Sequence, residues 1–232
     1  ASAAILVVLA KTQPAVRSSQ VLGYNPQQVA VDPAGNLYIS DLRARAILIL
    51  DPAGQFLGRI DVSGRPGGLA LDAAGRILVG DLDRHGVTIY DALGVELGTL
   101  GEHGLFEMPM GLAIDRDTGR VYVADSGAGA VRVCEPSGEI VGSLDVAGGM
   151  PVGVAISPDG ASIYVADGRN GQVRVFAPDG TPKPTIGAYG SGPGELSRPG
   201  GVAVVADGTV FVVDTFQGRL AAFEPSGQFL TF

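Results

Sequence analysis

The 232-residue sequence is poor in several residue types, and each shortage excludes a kind of protein or site. Its one cysteine, Cys134, can form no internal disulfide and cannot by itself supply the thiolates of a structural zinc site. Lysine occurs only at Lys11 and Lys183, in a chain with 24 acidic and 16 basic residues and a formal net charge of -8. We therefore expect no nucleic-acid partner, because nucleic-acid affinity depends on clustered lysine and arginine.

Long hydrophobic runs are also absent. The longest, residues 3–10, is far shorter than the roughly 18 apolar residues of a membrane-spanning helix and has no basic segment before it. We therefore expect neither membrane insertion nor a signal peptide. The 46% of hydrophobic residues exclude a disordered chain, and the length suits one large domain or two small ones.

A motif of the form Pro-x-x-apolar-Ala occurs five times, at intervals of 40, 43, 42 and 48 residues. Each copy is followed by a turn with glycine, an apolar run that ends in aspartate, an alternating third strand, a second glycine turn and a weaker fourth strand. This interval is typical of a four-stranded propeller blade. The aspartate column consists of Asp41, Asp81, Asp125, Asp167 and Asp214.

The recurring columns Pro-x-Gly-apolar-Ala-apolar-Asp, Tyr-Val-Ala-Asp and Val-x-Val-Phe-x-Pro-x-Gly, with the connector at residues 187–199, resemble the NHL repeat of β-propeller proteins. The resemblance covers residues 26–232, although the first-strand aspartate of the family becomes Ser157 and Val205. It implies an all-β propeller of four-stranded antiparallel blades. We interpret residues 1–232 as one domain, with N-terminal strands in residues 1–25 and repeats beginning near residues 26, 66, 109, 151 and 199.

The number of blades depends on residues 1–25, which offer apolar stretches at residues 5–9 and 16–22. The resemblance implies six blades, with the N-terminal segment contributing to closure. The alternatives are five blades plus extra strands, or part of a larger propeller. Because unpaired strand edges tend to find partners, self-association through an incomplete blade is a further expectation.

Candidate binding residues follow from the topology of an antiparallel meander. The connectors between blades share one face, here called the connector face, with the turns between second and third strands. A residue repeated in every blade serves the blade, so functional residues are expected to break the repeat. A patch that does so lies in the connectors entering the third and fourth blades and consists of Leu105, Phe106, Met108, Met110 and Met150.

Two interpretations of this patch remain open. Flexible, polarizable methionines on an exposed face suit peptide binding. Packing between blades is the alternative, and it fits Phe106 best because Phe106 aligns with Leu196.

Other reactive residues have simpler explanations than catalysis. His85 and His103 could be neighbours on the connector face, but they lack a fixed ligand spacing, so they are only weak metal candidates. The aspartate column could form an acidic ring, or its members could accept hydrogen bonds from their own turns. Cys134 aligns with apolar strand residues and is expected in the core. No Gly-x-Ser-x-Gly nucleophile motif occurs.

The sequence therefore favours a non-enzymatic binding, scaffold or sensor module that recognises a protein, peptide or small ligand on the connector face, without a cofactor. The alternative is a metal-dependent propeller hydrolase or lyase that uses His85 and His103. Calcium-dependent lactonases of propeller architecture gather Glu, Asn and Asp around the axis. Asparagine occurs here only at Asn25, Asn36 and Asn170.

Overall fold

The computed structural model describes residues 25–146 and 148–232, which form five four-stranded antiparallel blades. In this part of the chain every regular element is a strand, and no helix long and apolar enough to cross a membrane is found. The all-β propeller predicted from the repeats is thus confirmed.

Each blade is a meander that runs from the innermost strand to the outermost one. Blades 1 and 2 consist of β1 (Pro26–Val31), β2 (Leu37–Asp41), β3 (Ala46–Leu50), β4 (Phe56–Asp61), β5 (Pro66–Leu71), β6 (Ile77–Asp81), β7 (Gly86–Tyr90) and β8 (Glu96–Thr99). Blades 3 and 4 consist of β9 (Pro109–Ile114), β10 (Val121–Asp125), β11 (Ala130–Cys134), β12 (Ile140–Asp145), β13 (Pro151–Ile156), β14 (Ile163–Asp167), β15 (Gln172–Phe176) and β16 (Pro182–Ile186). A short parallel pair, β17 (Ala188–Tyr189) and β18 (Glu195–Leu196), precedes blade 5, which consists of β19 (Pro199–Val204), β20 (Val210–Asp214), β21 (Arg219–Phe223) and β22 (Phe229–Thr231).

The described residues contain five blades, as in the five-bladed alternative, and not the six that the resemblance implied. The sixth blade required the N-terminal segment, of which residues 1–24 lie outside the described residues. The innermost strands contact one another in the order β1, β5, β9, β13 and β19, without a comparable contact between β19 and β1. On β1, Val29 and Val31 are 40% and 53% exposed. Self-association through an incomplete blade stays a prediction.

The turns of the face opposite the connectors, here called the opposite face, explain why the strands end where they do. In the turn after β3, the carboxylate of Asp51 accepts hydrogen bonds from the backbone N–H groups of Ala53 and Gln55, at 2.9 and 2.7 Å. Gly54 then takes a φ of 79°, a conformation that L side chains rarely adopt. Equivalent turns recur in every blade, so local chemistry alone sets the length of each strand.

Most of the hydrophobic core lies between neighbouring blades, and one smaller cluster, Ile39, Leu48 and Leu50, lies within blade 1. Between blades 2 and 3, for example, Leu78, Phe106, Val123 and Cys134 belong to one buried cluster. Cys134 is fully buried, and burial raises the pKa of its thiol to about 11. The expected core position of Cys134 therefore agrees with the structure.

Glycine backbones and one glutamine pack the inner strands near the axis. A methyl group added to Gly111 of β9 would lie 2.5 Å from the carbonyl oxygen of Val152 in β13, so these two strands meet backbone to backbone. On β1, the Gln28 side-chain oxygen accepts hydrogen bonds from the N–H groups of Leu69 and Leu112, and its amide donates to the Leu112 carbonyl at 3.0 Å. Gln28 thereby ties the inner strands of blades 1, 2 and 3 together.

Candidate functional site

Five residues occupy equivalent places around the axis on the connector face. Each stands immediately before the first proline of its blade, and its carbonyl accepts a hydrogen bond of 2.9 or 3.0 Å from the residue after the aspartate column. Because this bond recurs in every blade, the five side chains can be compared directly. This pre-proline ring consists of Asn25, Arg65, Met108, Met150 and Arg198.

The two methionines of the pre-proline ring are neighbours and lie between its two arginines. Met108 is 39% exposed, whereas Met110 and Met150 are half-buried. A methyl group added to Gly168 would lie 3.1 Å from the Met150 methyl carbon and 3.2 Å from the Pro199 carbonyl oxygen. The Met150 side chain therefore extends toward blade 5, and the apolar surface continues in that direction.

The remaining two residues of the predicted patch lie deeper. Phe106 is only 2% exposed and belongs to the core between blades 2 and 3, and Leu105 packs against the same cluster while partly buried. The Phe106 N–H donates to the His85 carbonyl at 3.1 Å, which fixes this part of the connector against blade 2. Met108 therefore lies on the surface, Met150 is partly exposed, and Phe106 is inside. Met110, expected in a connector, lies within β9 and is also partly exposed.

Two exposed aromatic residues extend the connector face beyond the predicted patch. Phe216, in the turn after β20, is 76% exposed, and Tyr189, in β17, is 72% exposed. Phe216 occupies a turn position at which the other four blades carry Arg43, Asp83, Gly127 and Arg169. It is the one aromatic residue in that column, so the rule that functional residues break the repeat could have found it.

The aspartate column is structural and does not form an acidic surface. All five members are at most 3% exposed. Asp125 accepts hydrogen bonds from the N–H groups of Glu107 and Met108, and Asp214 accepts them from Ser197 and Arg198, at 2.7 to 3.1 Å. The expected acceptance from the residue's own turn also occurs, for example from Arg84 to Asp81 at 3.0 Å. The column thus fixes the connectors that carry the methionines and Arg198.

The two histidines lie on the connector face but are not part of a metal centre in the described residues. His85 is exposed, and its Nδ1 lies 2.7 Å from the Glu107 carbonyl oxygen, to which it donates because a carbonyl can only accept. Within residues 25–146 and 148–232, no group of three or more His, Cys, Asp or Glu side chains is arranged to hold a metal ion. His85 and His103 therefore lack the carboxylate partner that the enzymatic alternative requires.

The asparagines are likewise occupied within their own turns. Asn36 donates to Asp32 and Asn170 donates to Asp167, both at 2.8 Å, and the Asn25 side-chain oxygen accepts from Gln27. All three asparagine side chains are thus engaged in local hydrogen bonds. The inner strands near the axis pack through glycine backbones and Gln28.

The charge differs strongly between the two faces. The turns of the opposite face carry twelve acidic residues and three arginines, whereas the loops of the connector face carry four acidic residues and six arginines. The six arginines are Arg43, Arg45, Arg65, Arg84, Arg169 and Arg198, and the four acids are Asp83, Glu102, Glu107 and Glu195. The loops of the connector face therefore carry a small excess of positive charge outside the buried aspartate column, whereas the turns of the opposite face are strongly acidic.

The two arginines of the pre-proline ring differ in their partners. Arg65 donates to Asp83 at 2.6 Å, and Asp83 also pairs with Arg45. The hydrogen bond from Arg65, together with Arg45, lowers the pKa of Asp83 below its ordinary value. Arg198 is exposed and forms no salt bridge with any residue of the described ranges.

Comparison with solved structures finds many propellers of similar shape. A gluconolactonase from Xanthomonas campestris aligns with a TM-score of 0.73 and 22% identity, over 90% of this chain and 76% of that one. A virginiamycin B lyase from Staphylococcus aureus aligns with a TM-score of 0.68 and 13% identity, over 90% and 69%. A chain of the nidogen/laminin complex aligns with a TM-score of 0.74 and 18% identity, over 88% and 78%. At such identities the similarity establishes the fold alone.

Sequence comparison is more specific. No curated protein is significantly similar to the chain. Residues 106–134 and 149–176, which span most of the inner three strands of blades 3 and 4, match the NHL repeat. The same columns and the same hydrogen bonds recur in all five blades. The chain is an NHL-repeat β-propeller protein.

Proposed function

We propose that this propeller is a non-enzymatic binding module that recognises a peptide or protein segment on the connector face of blades 3 to 5. The observation that carries the proposal is the run of apolar side chains that break the repeat there. Met108, Met110 and Met150 are joined by Tyr189 and Phe216, and three of these five are substantially exposed. In the other blades, the Met108 and Met150 position carries Asn25, Arg65 and Arg198, and the Phe216 position carries Arg43, Asp83, Gly127 and Arg169. The Met110 position is less distinctive, since blade 4 has Val152 there.

Physical chemistry supports a binding role for such a surface. Large exposed aromatics are costly to leave in water, and they supply contact area at low entropic cost when a partner covers them. Methionine adapts its shape to a partner because its side chain is unbranched and polarizable. The fixed connector backbone beneath, held by Asp125 and Asp214, presents these side chains on a rigid support.

The enzymatic alternative receives less support from the described residues. It relied on His85 and His103 as metal ligands, and these have no carboxylate partner arranged with them. The solved propellers of similar shape include a gluconolactonase and a streptogramin B lyase, but at 22% and 13% identity. Such distant similarity concerns the fold and does not transfer an active site.

The experiment that tests the proposal is selection of a displayed random-peptide library on the immobilised propeller. The strongest selected peptide is then titrated against the wild type, the variant Met108→Asp and the control Leu93→Asp. Leu93 is 88% exposed in a turn of the opposite face, so both variants exchange an exposed apolar residue for aspartate. We expect Met108→Asp to weaken binding about tenfold and Leu93→Asp to leave it unchanged.

Thermal melts of both variants accompany the titration. Both substitutions are at exposed residues and should change stability by less than about 0.5 kcal/mol. Failure to select any peptide, or equal weakening by both variants, would contradict the proposal.

A further inference from the structure

We infer that the peptide recognised on the connector face carries a carboxylate next to its apolar residues, and that Arg198 is the residue that reads it. This inference rests on the proposed function and names the chemistry of the partner. The argument depends on where positive charge stands relative to the exposed apolar side chains.

The backbone of Arg198 is hydrogen-bonded to the residue that precedes Phe216. Its carbonyl accepts hydrogen bonds from the N–H of Thr215 at 3.0 Å and from the Thr215 hydroxyl at 2.7 Å, and Phe216 follows directly in the chain. On its other side, the methyl end of Met150 approaches Pro199, the next residue after Arg198. Arg198 therefore stands between Met150 and Phe216.

The charge of Arg198 is available to a partner, in contrast to that of Arg65. Both belong to the pre-proline ring, but Arg65 is committed to Asp83, which Arg45 shares. Arg198 is held by its backbone alone: its N–H donates to the buried Asp214 at 3.0 Å, and its exposed guanidinium makes no salt bridge with a described residue. A guanidinium matches a carboxylate in shape and charge, and can bind it through two parallel hydrogen bonds.

The charges on the two faces of the molecule also favour binding of an acidic peptide to the connector face. The opposite face has twelve acids against three arginines, while the connector face has four against six. The opposite face therefore repels a negatively charged peptide more strongly than the connector face, whose loop arginines lie outside the buried aspartate column. This difference favours encounter at the connector face. Single-stranded nucleic acid would also use aromatics and arginine, but it needs a continuous basic groove, and the connector face has no lysine among its described residues.

A defined set of synthetic peptides tests the inference. Each peptide carries two leucines, and the position beside them is Glu, Gln or Lys. Affinities are measured for the wild type, for Arg198→Glu and for the control Arg116→Glu, which makes the same charge change at an exposed residue of the opposite face. A mixed-sequence single-stranded RNA serves as the nucleic-acid probe.

We expect the wild type and Arg116→Glu to prefer the Glu peptide over the Lys peptide by about tenfold, and this preference to shrink in high salt. Arg198→Glu should abolish or reverse the preference while still binding the Gln peptide within about twofold of wild type. Equal affinity for all three peptides, with binding still weakened by Met108→Asp, would overturn the role of Arg198 and leave the proposed function standing. Absence of peptide binding would overturn both, and tighter binding of the RNA would overturn the acidic-peptide partner. Equal effects of the two arginine variants would likewise overturn the role of Arg198.

Discussion

The two faces of this propeller differ in how much their loops vary. The turns of the opposite face all have five or six residues, whereas the connectors before blades 3 and 5, at residues 100–108 and 187–198, are much longer than the other loops of the connector face. On the opposite face, an acidic or hydroxyl residue and a glycine recur at nearly every turn, and their hydrogen bonds serve the turn itself. On the connector face, the pre-proline ring changes from asparagine to arginine to methionine between blades. The difference teaches that the repeat fixes the scaffold, while side chains vary most where the backbone is held by another residue, the aspartate of the column.

The aspartate column explains why the connector side chains can vary while the connector backbone stays in place. Because Asp125 and Asp214 hold the connectors through backbone N–H groups, the side chains at Met108 and Arg198 are not needed for folding. On the opposite face the turn is held by its own residues. Where Ser157 or Val205 replaces the first aspartate, the carboxylate of Asp159 or Asp207 accepts a backbone N–H of the turn. Three predictions follow from this contrast and are ordered by the size of the expected effect.

The largest effect is expected in the core that supports both faces. Cys134→Asp places a carboxylate at a fully buried strand position, and we expect it to lower the free energy of unfolding by about 4 kcal/mol or more. Cys134→Ala, the matched control, should cost about 1 kcal/mol. Denaturant titration of both variants measures the difference. A normal melting temperature for Cys134→Asp would contradict the position of β11 in the core.

An intermediate effect should separate the two kinds of turn. Asp125→Ala leaves the N–H groups of Glu107 and Met108 without their buried carboxylate acceptor, and we expect a loss of about 2–3 kcal/mol. Asp91→Ala on the opposite face removes the acceptor of two turn N–H groups that water can reach, and should cost under about 1 kcal/mol. Chemical denaturation of the pair measures both losses. Equal losses would mean that the connectors are not held by the aspartate column.

The smallest effect is expected at low pH, on the stability of the opposite-face turns. The pKa of Asp32 is lowered mainly by a hydrogen bond from the Asn36 side chain, and those of Asp179 and Asp207 mainly by the backbone N–H groups of Thr181 and Thr209. Because the folded values lie below the ordinary 3.8, the stability they contribute is present above that pH and is lost as pH falls through the folded values. Amide NMR should therefore show the opposite-face turns loosening first below pH 3.8. Simultaneous loosening of the connector face away from Asp83, whose pKa is lowered too, would contradict this order.

Much of the fold could be predicted from the sequence, because each repeat carries its own turn chemistry. The proline that starts each inner strand and the glycine of each turn act within a few residues of their own position. The aspartate that ends each second strand also binds its own turn, and in addition it reaches the connector that enters the same blade. The blade number could not be predicted in the same way, because it depends on how separate repeats meet. Gln28 illustrates the limit, since its hydrogen bonds join residues 84 positions apart.

The candidate site was predicted only in part, for a related reason. The methionines were found because they break a column, but the same rule applied to the turns would also have found Phe216. Whether Phe106 or Leu105 turns inward depends on the path of the connector, which the His85 carbonyl fixes by a contact between distant residues. The positive excess of the connector face is invisible in the net charge of -8 and appears only when residues are sorted by face.

The hydrogen bonds of Gln28 near the axis also affect the order in which the blades can dock during synthesis. During synthesis Gln28 leaves the ribosome long before Leu69 and Leu112, whose backbone groups it binds. Its polar side chain therefore gains a first partner with the second blade and its full set of partners only with the third. Blade 1 can form its own strands early, but its docking on the axis waits for residues that are synthesised 84 positions later.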